Sequence, residues 1–267
     1  MLKGEDYMSM KNQVAIVTAS TRGIGLAIAN TLASKGAKVY FAVRRPEAGA
    51  ALAQELKKKN MQADAVYFDA SVEASAKEMV DTVWAKEKRL DILVNNYGGT
   101  DVNTDLDLLA GDTDAFFQIN QGNLQSVYLP SKAAIPLMIQ TGGGSIVNIS
   151  SVGGRYPDLS RLAYGVSKAA INFLTQNIAV QYARQGVRCN AVLPGLIATD
   201  AALKNMPSAF LEAFLRNVPL GRMGTPEDIA HLVAFLCSPE ASFVTGELIA
   251  VAGGYGLPSP MYGMSAK

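Results

Sequence analysis

The sequence predicts an α/β fold, a single doubly wound domain with a seven-stranded parallel sheet and helices on both faces. Three observations lead there. Seven short apolar, β-rich runs alternate with segments of helical spacing, as parallel strands joined by crossover helices do. The runs are apolar at consecutive positions, which suits strands buried on both faces. The residues of most chemical character follow the ends of these runs, and right-handed crossovers place such ends along one edge of the sheet.

The first strand is read at Val14-Ala15-Ile16-Val17. After it come Thr18-Ala19-Ser20-Thr21-Arg22-Gly23-Ile24-Gly25 and a helical pattern through Leu26, Ile28, Ala29 and Leu32, stopped by Gly36. Strand, glycine loop and helix start form a diphosphate-binding device. Glycines let the backbone approach, and the amino end of a helix favours an anion. The second strand, Lys38 to Val43, ends in Arg44-Arg45-Pro46. An acid there would bond an adenosine ribose. None is present, and Arg44, with Arg22 converging from the first loop, suits a 2′-phosphate instead.

A helix over Pro46 to Asn60 carries Lys57-Lys58-Lys59 at its carboxyl end, a solvated run that complements the helix dipole. The third strand runs from Ala65 to Phe68 and ends at Asp69; Ser71 is expected to cap the next helix, which continues to Lys88. Ile92-Leu93-Val94 is the fourth strand and leads into Asn95-Asn96-Tyr97-Gly98-Gly99. Asp112 to Gln140 is a long helical region containing Asn123, interrupted by Pro130 and Pro136. The fifth strand is Ile146 to Ser150, and the sixth is Val187 to Leu193, closed by Pro194-Gly195. A helix over Pro226 to Ser238 has Thr225 as its cap and proline in its first turn. Leu248 to Val251 is the last strand.

Composition narrows the function classes. A chain of 267 residues, 49% apolar, fits one α/β domain with an ample core. Its net charge of +1 offers no basic excess for nucleic acid or an anionic membrane. No apolar run reaches the roughly 18 residues that span a bilayer. The opening MLKGEDYMSM lacks the apolar core of a signal sequence. The expected division is a flexible extension over 1–10, a catalytic domain over 11–255 and a tail over 256–267. Cys189 and Cys237 form no spaced metal or redox motif, so a reducing cytoplasm is the expected location. The single histidine, His231, leaves little material for a Ser-His-Asp hydrolase or a histidine-rich metal centre.

The chemistry concentrates in Ser151 to Lys168, SVGGRYPDLSRLAYGVSK. On a helix, Tyr164 and Lys168 share one face. A free phenol titrates near 10 and is a poor base at neutral pH. An ammonium about 4 Å away, at an effective dielectric of ~20, favours the phenolate by roughly 4 kcal/mol, or about 3 pK units. The apolar run before Ser150-Ser151 delivers a hydroxyl to the same strand end, where it would hold a substrate oxygen.

Together TASTRGIG, Asp69, NNYGG, Asn123, Ser151 with Tyr164 and Lys168, and Pro194-Gly195 resemble the short-chain dehydrogenase/reductase family over essentially the whole chain. Ser151 stands thirteen residues before Tyr164, the separation of the family pattern, which selects it over Ser150. Two positions depart from the pattern. Ala19 replaces a glycine in the first turn, and Tyr97 replaces a small residue, placing a large side chain near cofactor or substrate.

The resemblance implies a Rossmann-like fold with strand order 3-2-1-4-5-6-7 and a homotetramer built on the two long helices flanking the fifth strand. It implies NADP as cofactor, held by Ser20, Thr21, Arg22, Gly23, Ile24, Gly25, Arg44, Asp69, Ala70, Asn96, Tyr97, Gly98, Tyr164, Lys168, Pro194, Gly195, Ile197 and Thr199. Tyr164 would exchange a proton with the substrate oxygen that Ser151 holds. Lys168 would lower the tyrosine pKa and hold the nicotinamide ribose, and Asn123 would order a relay water.

Within the family, NNYGGT, SVYLPSKAAIP and RCNAVLPGLIATDAA resemble the bacterial bile-acid 7α-hydroxysteroid dehydrogenases. The implied reaction interconverts a secondary hydroxyl and a ketone on a bulky apolar small molecule. A lid over 196–224 would cover that skeleton with Ala201, Leu203, Met206, Phe210, Leu211, Phe214, Leu215 and Val218, and the tail with Met261 and Tyr262 either closes the same pocket or is a surface end. Two alternatives stand. A 3-oxoacyl-carrier-protein reductase requires a basic patch at the cleft mouth, for which Arg216 and Arg222 are the candidates. A non-catalytic NADP-binding sensor has no need to keep Ser151, Tyr164 and Lys168 together.

Overall fold

In chain order the elements are β1 (Val14–Thr18), α1 (Gly23–Ser34), β2 (Lys38–Val43), α2 (Pro46–Lys58), β3 (Ala63–Tyr67), α3 (Glu73–Glu87), β4 (Ile92–Asn95), α4 (Thr113–Gln140), β5 (Gly144–Ile149), α5 (Leu162–Tyr182), β6 (Val187–Pro194), α6 (Asp200–Lys204), α7 (Ser208–Leu215), α8 (Pro226–Cys237) and β7 (Leu248–Val251). The computed structural model describes residues 9–204, 206–259 and 262. All seven strands pair in parallel, in the order β3-β2-β1-β4-β5-β6-β7. The single doubly wound, Rossmann-like domain read from the sequence is the fold observed.

Burial explains the two layers. Every residue of β1 is buried, and its side chains divide by alternation. Ala15 and Val17 join Ile28 and Leu32 of α1, Leu56 of α2 and Val233 of α8 in one core. Val14 and Ile16 join Met79 and Val83 of α3, Met138 of α4 and Ile178 of α5 in the other. A strand covered on both sides must be apolar at both parities, hence the unbroken run in the sequence. The strand order reverses between β1 and β4, and the carboxyl ends there open the crevice in which this class of sheet binds ligands.

Several local expectations need correction. Pro130 and Pro136 do not interrupt the long helix, because α4 runs continuously through both. An internal proline costs about 3 kcal/mol, which the burial of Val127, Ala134, Ile135 and Met138 against the sheet outweighs. Ser71 does not cap α3, which starts after Val72 without a side-chain cap. Its hydroxyl instead donates to Asp69 Oδ1 (2.7 Å), a charge-assisted bond that a neutral backbone group does not match. The cap at α8 is as read, with Thr225 and Asp228 forming a reciprocal capping box ahead of Pro226. Residues 1–8 of the expected extension lie outside the described residues, but Met10 is fully buried and its N–H bonds Lys35 O at 2.8 Å.

Candidate active site

The turn from β1 into α1 is tied down from β4. Asn96 Nδ2 donates to Thr18 O (3.2 Å) and Ala19 O (3.1 Å), while Thr18 Oγ1 accepts from Asn96 N–H at 2.9 Å. Ser20 is buried and its hydroxyl donates to Val17 O at 2.8 Å, so it shapes the turn. A Cβ on Gly25 would stand 2.4 Å from Asn96 Nδ2 and 2.6 Å from Ala19 O, which makes glycine a packing requirement there. Ala19, where the sequence departs from a glycine, holds a left-handed φ of 51°. Helix α1 starts without a side-chain cap, which leaves its amino end suited to an anionic ligand.

In front of this turn lies a cavity of about 620 Å³, a volume in the range of cofactor sites. Of the residues expected at a dinucleotide, its wall contains Thr21, Arg22, Gly23, Ile24, Arg44, Ala70, Asn96, Tyr97, Gly98 and Thr199. Ser20, Gly25, Asp69, Tyr164, Lys168, Pro194, Gly195 and Ile197 are not on that wall. Asp69 is held ionised by the Ser71 N–H and hydroxyl, with Arg44 adding to the effect. A Cβ on Gly195 would meet Ala252 Cβ at 2.8 Å, so that glycine serves strand packing beside β7. Arg45, Phe68 and Asp200 also line the cavity, although sequence reasoning passed over them. The doubled arginine at the end of β2 was the available signal for Arg45. Arg22, Arg44 and Arg45 on that wall suit an added phosphate, and the glycine turn suits a diphosphate.

The candidate catalytic side chains Ser151, Tyr164 and Lys168 come together at the carboxyl end of β5. Tyr164 lies in the first turn of α5, and Lys168 follows one turn later with its Nζ 5.5 Å from the Tyr164 ring centroid. The ammonium is almost fully buried and donates to Ile149 O at 2.9 Å; burial pulls its pKa down to about 8. Burial pushes the Tyr164 phenol up, and the Ser151 hydroxyl and the Arg161 charge pull it back in part. The expected acidification of the phenol by Lys168 therefore does not dominate in this structure. The cation sits over the ring and spends its hydrogen bond on β5.

Ser151 follows β5 and accepts from Gly153 N–H at 3.0 Å. A Cβ built on Gly153 would lie 3.4 Å from Ser151 Oγ and 3.8 Å from the Tyr164 ring, so hydroxyl and phenol flank one glycine. Its neighbour Ser150 is buried and donates to Lys168 O at 3.2 Å, a bond that ties β5 to α5.

Asn123 is also buried, but its side chain is used locally. Nδ2 donates to Gly99 O (3.0 Å) and Ser167 Oγ (2.9 Å), and Oδ1 accepts from Gly99 N–H at 3.0 Å. It clamps the segment after β4 to the tyrosine helix.

The segment expected as a lid contributes Phe214 to an aromatic strip with Tyr255 and Tyr156. Two short helices, α6 and α7, carry this segment, α7 lying between Pro207 and Pro219. Phe214 stacks on Tyr255 with ring centroids 4.9 Å apart, and Tyr255 meets Tyr156 edge-on at 5.9 Å. Val218 is buried, Leu203 and Phe210 are exposed, and the Ala201 side chain lies outside the described residues. Tyr262 donates to Pro219 O at 3.5 Å, which brings the tail to the lid; Met261 lies outside the described residues. No helix among the described residues is long and apolar enough to cross a membrane.

Residues 18–256 match the family model described as enoyl-(acyl carrier protein) reductase. A 7α-hydroxysteroid dehydrogenase of Clostridium sardiniense is 56% identical over 253 residues, covering 95% of this chain and 97% of that protein. A solved 7α-hydroxysteroid dehydrogenase complexed with NADH and 7-oxo glycochenodeoxycholic acid reaches a TM-score of 0.89 at 31% identity, covering 96% of this chain and 98% of that one. A gluconate 5-dehydrogenase from Burkholderia cenocepacia J2315, in complex with NADP and tartrate, reaches 0.90 at 30% identity, covering 96% and 100%.

Proposed function

The chain belongs to the short-chain dehydrogenase/reductase family of oxidoreductases, and from that premise we propose an NADP(H)-dependent enzyme that interconverts the 7α-hydroxyl of a bile acid and its ketone. One observation carries the reading. Gly98 lines the cavity, and a Cβ placed on it would stand 2.6 Å from Lys168 Nζ. The Lys168 ammonium therefore stands against a wall residue of the cavity whose lining includes Arg22, Arg44 and Arg45, which supports reading pair and cavity as one site.

A bound nicotinamide supplies or accepts the hydride. Tyr164 gives its phenolic proton to the substrate oxygen in reduction and takes it back in oxidation. Ser151 donates to the same oxygen and stabilises charge as it develops. Lys168, fixed by Ile149 O, places a cation beside both groups and within reach of the cofactor ribose. Arg22, Arg44 and Arg45 would hold the 2′-phosphate, and no acid stands at the end of β2 to prefer a free ribose.

Three features support a steroid skeleton. A relative 56% identical over nearly the whole chain is a 7α-hydroxysteroid dehydrogenase, Tyr97 adds an aromatic ring to the cavity wall, and Tyr156, Tyr255 and Phe214 form a separate aromatic strip. An acyl-carrier reductase needs free basic residues at the mouth, whereas Arg222 is paired with Asp228 at 2.8 Å. The proposal extends to a homotetramer, since α4 and α5 expose Phe117, Tyr128, Phe173 and Val180. It also extends to a cytoplasmic location. An assay following nicotinamide absorbance, with cholate-type acids and acetoacetyl thioesters against both dinucleotides, tests the function. Turnover of the thioester alone would overturn the steroid assignment, and light scattering reports the assembly.

A further inference from the structure

The first turn of α5 is capped from a distant loop. A helix start leaves four N–H groups without intrahelical partners. Here Arg161 at the N-cap is left-handed, with a φ of 60°, and supplies no side-chain bond. The four N–H groups are met by two adjacent residues far back in the chain. Arg161 N donates to Asp105 O (3.0 Å) and Leu162 N to Leu106 O (3.2 Å). Ala163 N donates to Asp105 Oδ1 (2.8 Å), and Tyr164 N donates to Asp105 Oδ2 (3.0 Å). Thr100 Oγ1 donates to the same Oδ2 at 2.5 Å, and Asp105 is 4% exposed.

This rests on the reading of Tyr164 as the proton-transfer residue. We propose that Asp105 is a positioning residue for Tyr164, its buried carboxylate fixing the turn that aims the phenol at the substrate oxygen. Two routes join that turn to the cavity. Thr100 follows Gly99, which Asn123 clamps; Asn123 also donates to Ser167 Oγ, which donates to Tyr164 O at 2.7 Å. The backbone of Tyr164 is thus held at both its N–H and its carbonyl by groups anchored to the segment after β4. The charged groups that meet Tyr164 are Lys168 of its own helix over the ring, Arg161 at the N-cap, and Asp105 at the backbone N–H. Asp158 pairs with Arg161 at 2.9 Å.

The test uses full-length Asp105→Asn, Thr100→Val, Asp112→Asn and Tyr164→Phe enzymes. Asparagine keeps one acceptor oxygen but turns an NH₂ group toward a donor. For Asp105→Asn we expect kcat to fall about tenfold or more, since small misplacements at a reacting group are costly. Dinucleotide affinity should stay within about twofold, and the pH profile of alcohol oxidation should move to lower pH because a negative charge beside the tyrosine is gone. Thr100→Val should lower kcat by less and leave the pH profile in place, because the carboxylate remains. Asp112 lies in the same loop but caps α4 through Ala115 N–H, so Asp112→Asn, which keeps a capping acceptor, should leave melting temperature, kcat and pH profile near parental. Parental kcat and pH profile in folded Asp105→Asn, beside an inactive Tyr164→Phe, would overturn the inference alone. So would kcat and dinucleotide affinity falling in parallel. Parental turnover in Tyr164→Phe would overturn the catalytic reading and this inference with it.

Discussion

The Lys168 ammonium lies over the Tyr164 ring, 5.5 Å from its centroid, and donates its hydrogen bond to the Ile149 carbonyl. The pair is close enough to act together, yet burial dominates each partner separately. It raises the phenol and lowers the amine. The site therefore holds a protonated phenol at neutral pH, ready to act as an acid.

Proton transfer should consequently depend on direction. Ketone reduction needs the phenol protonated, so its rate should hold through neutral pH and fall only as the phenol ionises. Alcohol oxidation needs the phenolate, so its rate should climb over the same interval. Tyr164→Phe should lower kcat by about a hundredfold or more in both directions. Steady-state kinetics across pH, run forward and backward, check this.

Lys168 should cost stability that its function repays. Its folded pKa, about 8, is below the ordinary lysine value of 10.5. The unfolded chain binds more protons between those values, so stability should rise as pH climbs through that window, and the full penalty applies below it. The shift corresponds to about 3 kcal/mol, less about 1 kcal/mol for the bond to Ile149 O. Lys168→Met should thus be about 2 kcal/mol more stable at neutral pH and inactive, as urea melts and turnover would show.

Cofactor choice should reside at the end of β2. Replacing both Arg44 and Arg45 by alanine removes two cations from the cavity wall. NADP affinity should fall by about tenfold to a hundredfold, the value of one or two charge-assisted bonds. NAD affinity should change little. Parallel titrations with the two dinucleotides measure the ratio, and an unchanged ratio would place the phosphate elsewhere.

Ala19 should be improvable. Its left-handed φ of 51° costs an alanine roughly 1–2 kcal/mol. Glycine removes that strain but carries up to about 1 kcal/mol of extra unfolded-state entropy. Ala19→Gly should therefore stabilise by roughly 0.5–1 kcal/mol and raise the melting temperature by about 2 °C, read by calorimetry.

The sheet was legible because burial on both faces writes itself into consecutive apolar residues, as in Val14 to Val17 and Lys38 to Val43. The glycine turn and the Tyr164–Lys168 pair were legible because their chemistry is local in sequence. What escaped was long-range. The sequence does not show that Asp105 caps a helix 58 residues later, because any loop acid has the same composition signal. The continuity of α4 through two prolines was equally hidden, since tertiary packing decides it. Ser71 misled for a related reason, as a cap residue beside an aspartate has a stronger partner at hand.

The segment between Gly99 and α4 looks like variable surface, with Leu108 and Leu109 almost bare. Exchanging it between relatives to alter substrate preference would nevertheless transplant the anchor of the neighbouring helix as well. A graft that keeps its length but loses the acid at 105 would arrive with a misaligned proton donor. Any loss of turnover in such a chimera would then be mistaken for poor substrate fit.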